Sequence, residues 1–201
     1  MPSTNSRQHE QPPEDFDDVL LFEEILRERC YHEAGHAVFA CHDGTEIDKV
    51  RVSDKKGVCT INRADLYEQY SPWRYAQFCL AGAYAGHLGV TLEHPKVEDV
   101  PISELREDAV RVPEGDAWWV VDILDDFAAT EDFPFADVEE AYAVLFDDVG
   151  EQMERLWEAI EAVAVALLNS YWESGEEKLG CLAGGDVISI VESTREEVTD
   201  A

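Results

Sequence analysis

Tyr31-His32-Glu33-Ala34-Gly35-His36-Ala37-Val38 carries an H-E-x-x-H pentapeptide inside a stretch, Asp15 to His42, whose apolar residues recur at helical spacing. Val19, Phe22, Ile25, Leu26, Cys30, Ala34, Ala37, Val38 and Cys41 form one broad stripe, and Asp43-Gly44 supplies a stop. Residues four apart on a helix share a face, so His32 and His36 can reach one metal ion with Glu33 beside it. That is the geometry of a zinc hydrolase with a glutamate general base. In a chain of this composition the pattern arises by accident about 0.02 times, so it is a strong signal. The competing reading is two surface histidines on an acidic helix.

Outward from this helix, Lys49 to Ser53 alternates, Asp54 to Gly57 turns and Val58 to Asn62 extends, which predicts a β-hairpin. Ser71-Pro72-Trp73 opens a second helix running to about Leu88. Its Ala81-Gly82-Ala83-Tyr84-Ala85-Gly86 segment offers a small-residue face for close packing. Residues 89–114 contain three prolines and scattered charge and read as a loop with some short structure. A helix over about 117–129 follows Gly115-Asp116. Phe135 to Glu173 reads as mostly helical with a break near Gly150, and Leu156, Ile160, Val163 and Leu167 give it an amphipathic face. A last short helix begins near Gly185-Asp186. The expected fold is mainly α with a small β-hairpin. It forms one domain over residues 15–192, between a disordered polar tail (1–14) and a flexible one (193–201). Neither internal repeats nor a glycine-rich phosphate loop occurs.

The 201 residues include 15 basic and 45 acidic ones, a net charge of −30. Such a surface repels nucleic acid and anionic membrane, so neither is expected as a partner. Many carboxylates with few lysines is also the balance of proteins adapted to high salt, where ions screen the self-repulsion. There are five cysteines, an odd number without a C-x-x-C pair, and most sit among apolar neighbours and read as buried thiols, which fits a reducing cytoplasm. Residues 1–15 are polar and show no signal peptide. The longest apolar run, Ala159 to Leu168, is too short for a membrane span and contains Glu161.

A catalytic zinc site needs a third protein ligand and an open position for water. Asp116, Glu114, Asp122, Asp125, His87 and His94 are the candidates, and spacing alone does not choose among them. His42 follows His36 by six residues without the intervening glycine of metzincins, which excludes that continuation. Asp116 precedes a helix and could equally be its N-cap.

The chain resembles the zinc-protease domain of the FtsH family of ATP-dependent proteases, over roughly residues 25–192. Tyr31 to Val38 is very close to that family's motif. Asp48-Lys49-Val50-Arg51-Val52 is similar to the strand that follows it, Leu80 to Gly86 to its small-residue helix, and Gly180 to Val191 to its last short helix. Glu114-Gly115-Asp116 resembles the helix start that provides the family's aspartate ligand. The resemblance therefore implies Zn²⁺ held by His32, His36 and Asp116, with Glu33 as general base. It also implies a helical metalloprotease domain acting on a peptide or unfolded protein. The departures are Ala81-Gly82-Ala83 in place of Gly-Gly-Arg, Gly86-His87 in place of an acidic pair, and Gly115 in place of Asn. His87 is a possible substitute for an acid that orients a ligand. No ATPase motif is present, so ATP-driven unfolding would require a separate unfoldase partner.

The expected activity is hydrolysis of peptide bonds by a metal-activated water, with an extended peptide paired along the hairpin edge. Two alternatives stand beside it: a degenerate peptidase fold that binds proteins without cutting them, and a regulatory protease acting on a repressor or antitoxin. Trp118, Trp119, Trp157 and Trp172 are expected mostly in core packing rather than as substrate contacts. The charge balance makes a direct prediction. Stability should fall as KCl is lowered from molar to millimolar concentration, and an unchanged circular dichroism spectrum and melting point in dilute buffer would remove the salt-adapted reading.

Overall fold

A computed structural model describes residues 16–61, 71–91, 103, 106–107 and 115–199. The expected N-terminal tail, Asn62 and most of the proline-containing loop lie outside these residues. The elements are α1 (Phe16–His42), β1 (Ile47–Ser53), β2 (Gly57–Ile61), α2 (Pro72–Thr91), α3 (Asp116–Ala128), α4 (Val138–Glu173), β3 (Leu179–Ala183) and α5 (Gly184–Thr199). The chain is mainly helical with a small antiparallel sheet, as its sequence leads one to expect.

Helix α1 is the centre of the packing. Residues 33–40 are all buried, because α2, α4 and the sheet each cover part of the helix. It ends where the sequence signals it should. Gly44 takes φ +76°, and Thr45 N–H donates to the Ala40 carbonyl at 2.9 Å, which satisfies an otherwise orphaned acceptor. The approach of α2 to α1 is closer than ordinary side chains permit. A Cβ placed on Gly35 would stand 2.6 Å from the backbone oxygen of Ala81 and 2.6 Å from the Ala85 Cβ.

Helix α4 runs unbroken from Val138 to Glu173, which corrects the break expected at Gly150. Gly150 makes room instead: a Cβ there would meet the Tyr84 hydroxyl at 3.0 Å. The helix is fixed at its start by Asp137, whose carboxylate accepts from Glu140 N–H at 2.9 Å, while the Glu140 carboxylate accepts from Ala136 N–H at 2.6 Å. Leu145, Met153, Ile160, Val163, Leu167 and Tyr171 on its inner face are fully buried.

The hairpin belongs to a three-stranded sheet of order β2-β1-β3, antiparallel throughout. Val50 and Val52 of the central strand face the helices and are fully buried. Strand β3 has no counterpart in the sequence reading. Leu179-Gly180-Cys181-Leu182-Ala183 lacks the polar–apolar alternation that marks a half-buried strand, and its pairing with β1 is a long-range contact. Gly180 lies so close to α4 that a Cβ would stand 2.5 Å from the Leu167 carbonyl oxygen. Helix α5 continues to Thr199, so residues 193–199, expected within a flexible tail, are helical. Among the described residues no helix is long and apolar enough to cross a membrane.

Gly35→Ala tests the α1–α2 approach. The new methyl meets backbone rather than a movable side-chain tip, so the variant should lose about 1–3 kcal/mol in urea unfolding, instead of gaining from alanine's better helix propensity.

Candidate metal centre

The HExxH register places His32 and His36 one turn apart on α1, and α3 brings Asp116 to them across 80 residues of chain. Asp116 is the first residue of α3. The N-cap is Gly115, which offers no side chain, so the N-cap reading of Asp116 does not hold. The Asp116 carboxylate points to the histidines: its Oδ2 lies 2.8 Å from His32 Nε2 and 3.2 Å from His36 Nε2. The two Nε2 atoms are 3.2 Å apart. Of the other candidates, Asp125 is bound to Arg106 through two contacts of 3.0 and 2.7 Å. His87 is exposed, and neither it nor Asp122 belongs to the cluster. Glu114 and His94 lie outside the described residues.

This group can hold a metal ion, and two features fit that use. Three ligands on one face of a tetrahedral site, each about 2.0–2.1 Å from the ion, stand about 3.3 Å from one another, close to the triangle observed. The donor chemistry also asks for a cation. The Phe78 carbonyl lies 2.9 Å from His36 Nδ1 and accepts its N–H, which turns the Nε2 lone pair toward Asp116 and His32. Two nitrogens and a carboxylate oxygen therefore converge where a proton or a metal must sit between them.

Glu33 is buried, at 7% exposure. Burial raises its carboxyl above the ordinary range, opposed by the two histidines and by the Cys59 backbone N–H donated to it, and reinforced by Asp116. Strand β2 supplies that amide, and its first residue, Gly57, leaves the room the carboxylate occupies: a Cβ there would overlap Glu33. On the other side a Cβ on Gly82 of α2 would overlap the His36 imidazole. The Phe78 ring packs on His36 with centroids 4.7 Å apart, and Tyr75 and Trp119 extend this aromatic wall. Trp157 stacks on Tyr31 at 5.5 Å, a packing role as expected. Trp172, by contrast, is 45% exposed, with the Lys178 ammonium 5.2 Å from its ring centre.

The sequence reading did not find the Phe78 carbonyl, the Cys59 amide or the roles of Gly57 and Gly82. Backbone acceptors carry no residue signature, and Gly57 read only as a turn residue. A scan against family models and a search of curated proteins both find no match to this chain.

The charges in the site predict its pH behaviour. Burial works against a charged His36, but the Asp116 carboxylate outweighs it, with help from Glu33 and the Phe78 carbonyl, and lifts the imidazole to about 9. Asp116 is pushed up by burial, yet the two histidines hold it well below the ordinary carboxylate range. The contribution of His36 to the metal-free fold is therefore complete below about pH 6.5 and lost as pH rises through about 9. The contribution of Asp116 is present above about pH 4 and lost as pH falls below it. Metal-free protein should be most stable between these limits in urea titrations. Metal uptake at pH 7 should release about one proton, read by calorimetry in buffers of different ionisation enthalpy. Asp116→Ala should weaken metal binding about 10-fold or more.

Proposed function

We propose that this chain is a zinc-dependent metallopeptidase, with His32, His36 and Asp116 as the metal ligands and Glu33 as general base. The observation that carries the proposal is the convergence of His32 Nε2, His36 Nε2 and Asp116 Oδ2 within 2.8–3.2 Å of one another, beside a glutamate buried against the same groups. The likeness of Tyr31 to Val38 and Glu114 to Asp116 to the FtsH-type protease domain points the same way. Imidazole and carboxylate donors with a small, three-sided protein shell suit Zn²⁺. When bound, zinc would supply a Lewis acid that lowers the pKa of water towards ~7 and polarises a scissile carbonyl.

The protein's own part is proton handling and positioning. Glu33 takes a proton from the attacking water at its carboxylate and returns it to the leaving amine. Burial raises its carboxyl, which makes the carboxylate a stronger base for the water's proton. The Phe78 carbonyl holds His36 in one tautomer and one ring orientation. Strand β2 lies at the edge of the sheet, with its Cys59 amide already at Glu33. An extended peptide adding to that edge would run past the ligands, bound through its backbone and hence without strong sequence preference.

The five thiols are free, with Cys30 and Cys79 buried, Cys41 and Cys59 half-buried and Cys181 exposed, and free thiols suit a reducing cytoplasm. A separate ATPase partner would be needed for folded substrates; flexible peptides would need none.

Glu33→Gln should keep one metal per chain by elemental analysis while cleavage of a fluorogenic peptide, assayed in high salt, falls by a factor of about 10²–10⁴. Retained cleavage in that variant would remove the general-base assignment. Stoichiometric zinc with no cleavage by the native chain would favour a metal-stabilised binding module instead.

A further inference from the structure

The charge of this chain is unevenly spread. Residues 49–56 hold four of its 15 basic residues, Lys49, Arg51, Lys55 and Lys56, and one of its 45 acidic ones, Asp54. Lys49 is taken by Asp48 at 3.5 Å. Arg51, Lys55 and Lys56 are exposed, and no ion pair among the described residues includes them. The turn that carries the two lysines is held by backbone contacts. Ser53 N–H donates to the Lys56 carbonyl at 2.8 Å, and the Ser53 hydroxyl oxygen accepts from Lys55 N–H and Lys56 N–H at 3.3 and 3.1 Å. The half-buried Arg29 of α1 donates to the Ser53 carbonyl at 3.3 Å and to the Asp54 carbonyl. One helical turn on, Glu33 accepts the Cys59 amide. Helix α1 therefore grips the hairpin at two points. Lys56 immediately precedes Gly57, the residue that leaves room for the Glu33 carboxylate.

The Ser53–Lys56 hydrogen bond also sets the phase of the ladder. Val58 and Thr60 turn their backbone groups to β1, and Gly57 and Cys59 turn theirs to the free edge. Val50 and Val52 are buried, so Lys49 and Arg51 stand on the outer face of the sheet. From this placement we infer that the hairpin selects acidic peptides: extended segments whose Asp or Glu side chains meet Lys55, Lys56 and Arg51 as the backbone passes Glu33. This selection rests on the peptidase reading and deepens it, since backbone pairing along β2 reads no sequence by itself. A strand added to β2 lies about 9–10 Å from β1, within the combined reach of an arginine and a glutamate side chain. Charge complementarity names the occupant. Over most of the surface carboxylates outnumber cations and hold an acidic segment off, whereas this end of the hairpin attracts it. Lysines near a sheet edge can also serve only to deter edge-to-edge pairing, a role indifferent to the charge of a peptide.

The test uses the full chain and two fluorogenic peptides of one scaffold, with glutamate or glutamine at the same positions on both sides of the cleaved bond. Exposed ion pairs are individually weak, so kcat/KM should favour the glutamate peptide about three- to tenfold. The ratio should grow as KCl is lowered from about 1 M over the range in which circular dichroism shows the fold intact. Lys55→Glu combined with Lys56→Glu should bring the ratio below one, and the corresponding pair of glutamines should bring it close to one. Both lysines enter the turn through backbone atoms alone, and Arg51→Gln gives a second arm should the double variants misfold. Cleavage of both peptides at a ratio near one, or a ratio unmoved by charge reversal, would overturn the inference and leave the peptidase reading standing. Cleavage of neither would count against the peptidase reading. Fluorescence anisotropy of the same peptides, labelled, would then decide the inference: tighter binding of the glutamate peptide, lost on charge reversal, supports it, and equal or absent binding overturns it.

Discussion

The rest of the structure depends on how closely α2 lies against the HExxH face of α1. Gly82, Gly86 and Gly89 fall on one side of α2, at spacings of four and three. A Cβ at Gly82 would overlap His36, one at Gly89 would overlap Tyr31, and one at Gly86 would stand 3.2 Å from the His32 Cβ. Gly35 answers from α1. With the two backbones this near, the Phe78 carbonyl of α2 reaches His36 Nδ1. A wider separation would leave that N–H buried without its acceptor and the ring free to turn. Glycine in a helix costs about 0.5–1 kcal/mol relative to alanine, so four of them along one seam carry a real propensity cost, offset by the packing they permit.

The second constraint is electrostatic. His36 is almost completely buried beside a carboxylate, Glu33 is buried beside both, and the whole sits in a chain of net charge −30. Without a cation, a proton on His36 is what keeps Asp116 and Glu33 together, which is why the imidazole is lifted and Asp116 is lowered. A divalent ion in the same place would do that work for both carboxylates at once, and metal affinity and folding stability would then be linked through the same few atoms.

Much of this was legible in the sequence because its signals are local. The HExxH spacing, the Asp43-Gly44 stop, the alternation of Lys49 to Ser53 and the Ser71-Pro72 helix start each depend on a few adjacent residues. The third member of the cluster was not legible in that way. Local sequence left Asp116 level with the N-cap role, and the choice came from resemblance; the geometry then put its carboxylate on the two histidines. What stayed hidden depended on distant partners. Strand β3 exists through its register with β1, and Gly150 looked like a breaker until Tyr84 was seen packed against it.

The same seam bears on the departures from the FtsH-type pattern. An acidic side chain at position 86 would start from a Cβ 3.2 Å from that of His32 and 3.4 Å from the Glu28 carbonyl oxygen. It would have to push the helices apart or turn its charge toward backbone oxygen, both unfavourable. Glycine at 86 thus goes with the tight approach, which brings the Phe78 carbonyl to within 2.9 Å of His36 Nδ1. His87 is exposed and stands outside the group of His32, His36 and Asp116. Gly82, the central residue of Ala81-Gly82-Ala83, is the position where His36 leaves no space for a side chain. Ala83, where the family carries Arg, is only partly buried. The seam of α2 thus sets how His36 is held, beside a group in which the His32, His36 and Asp116 atoms lie within 4.8 Å of one another.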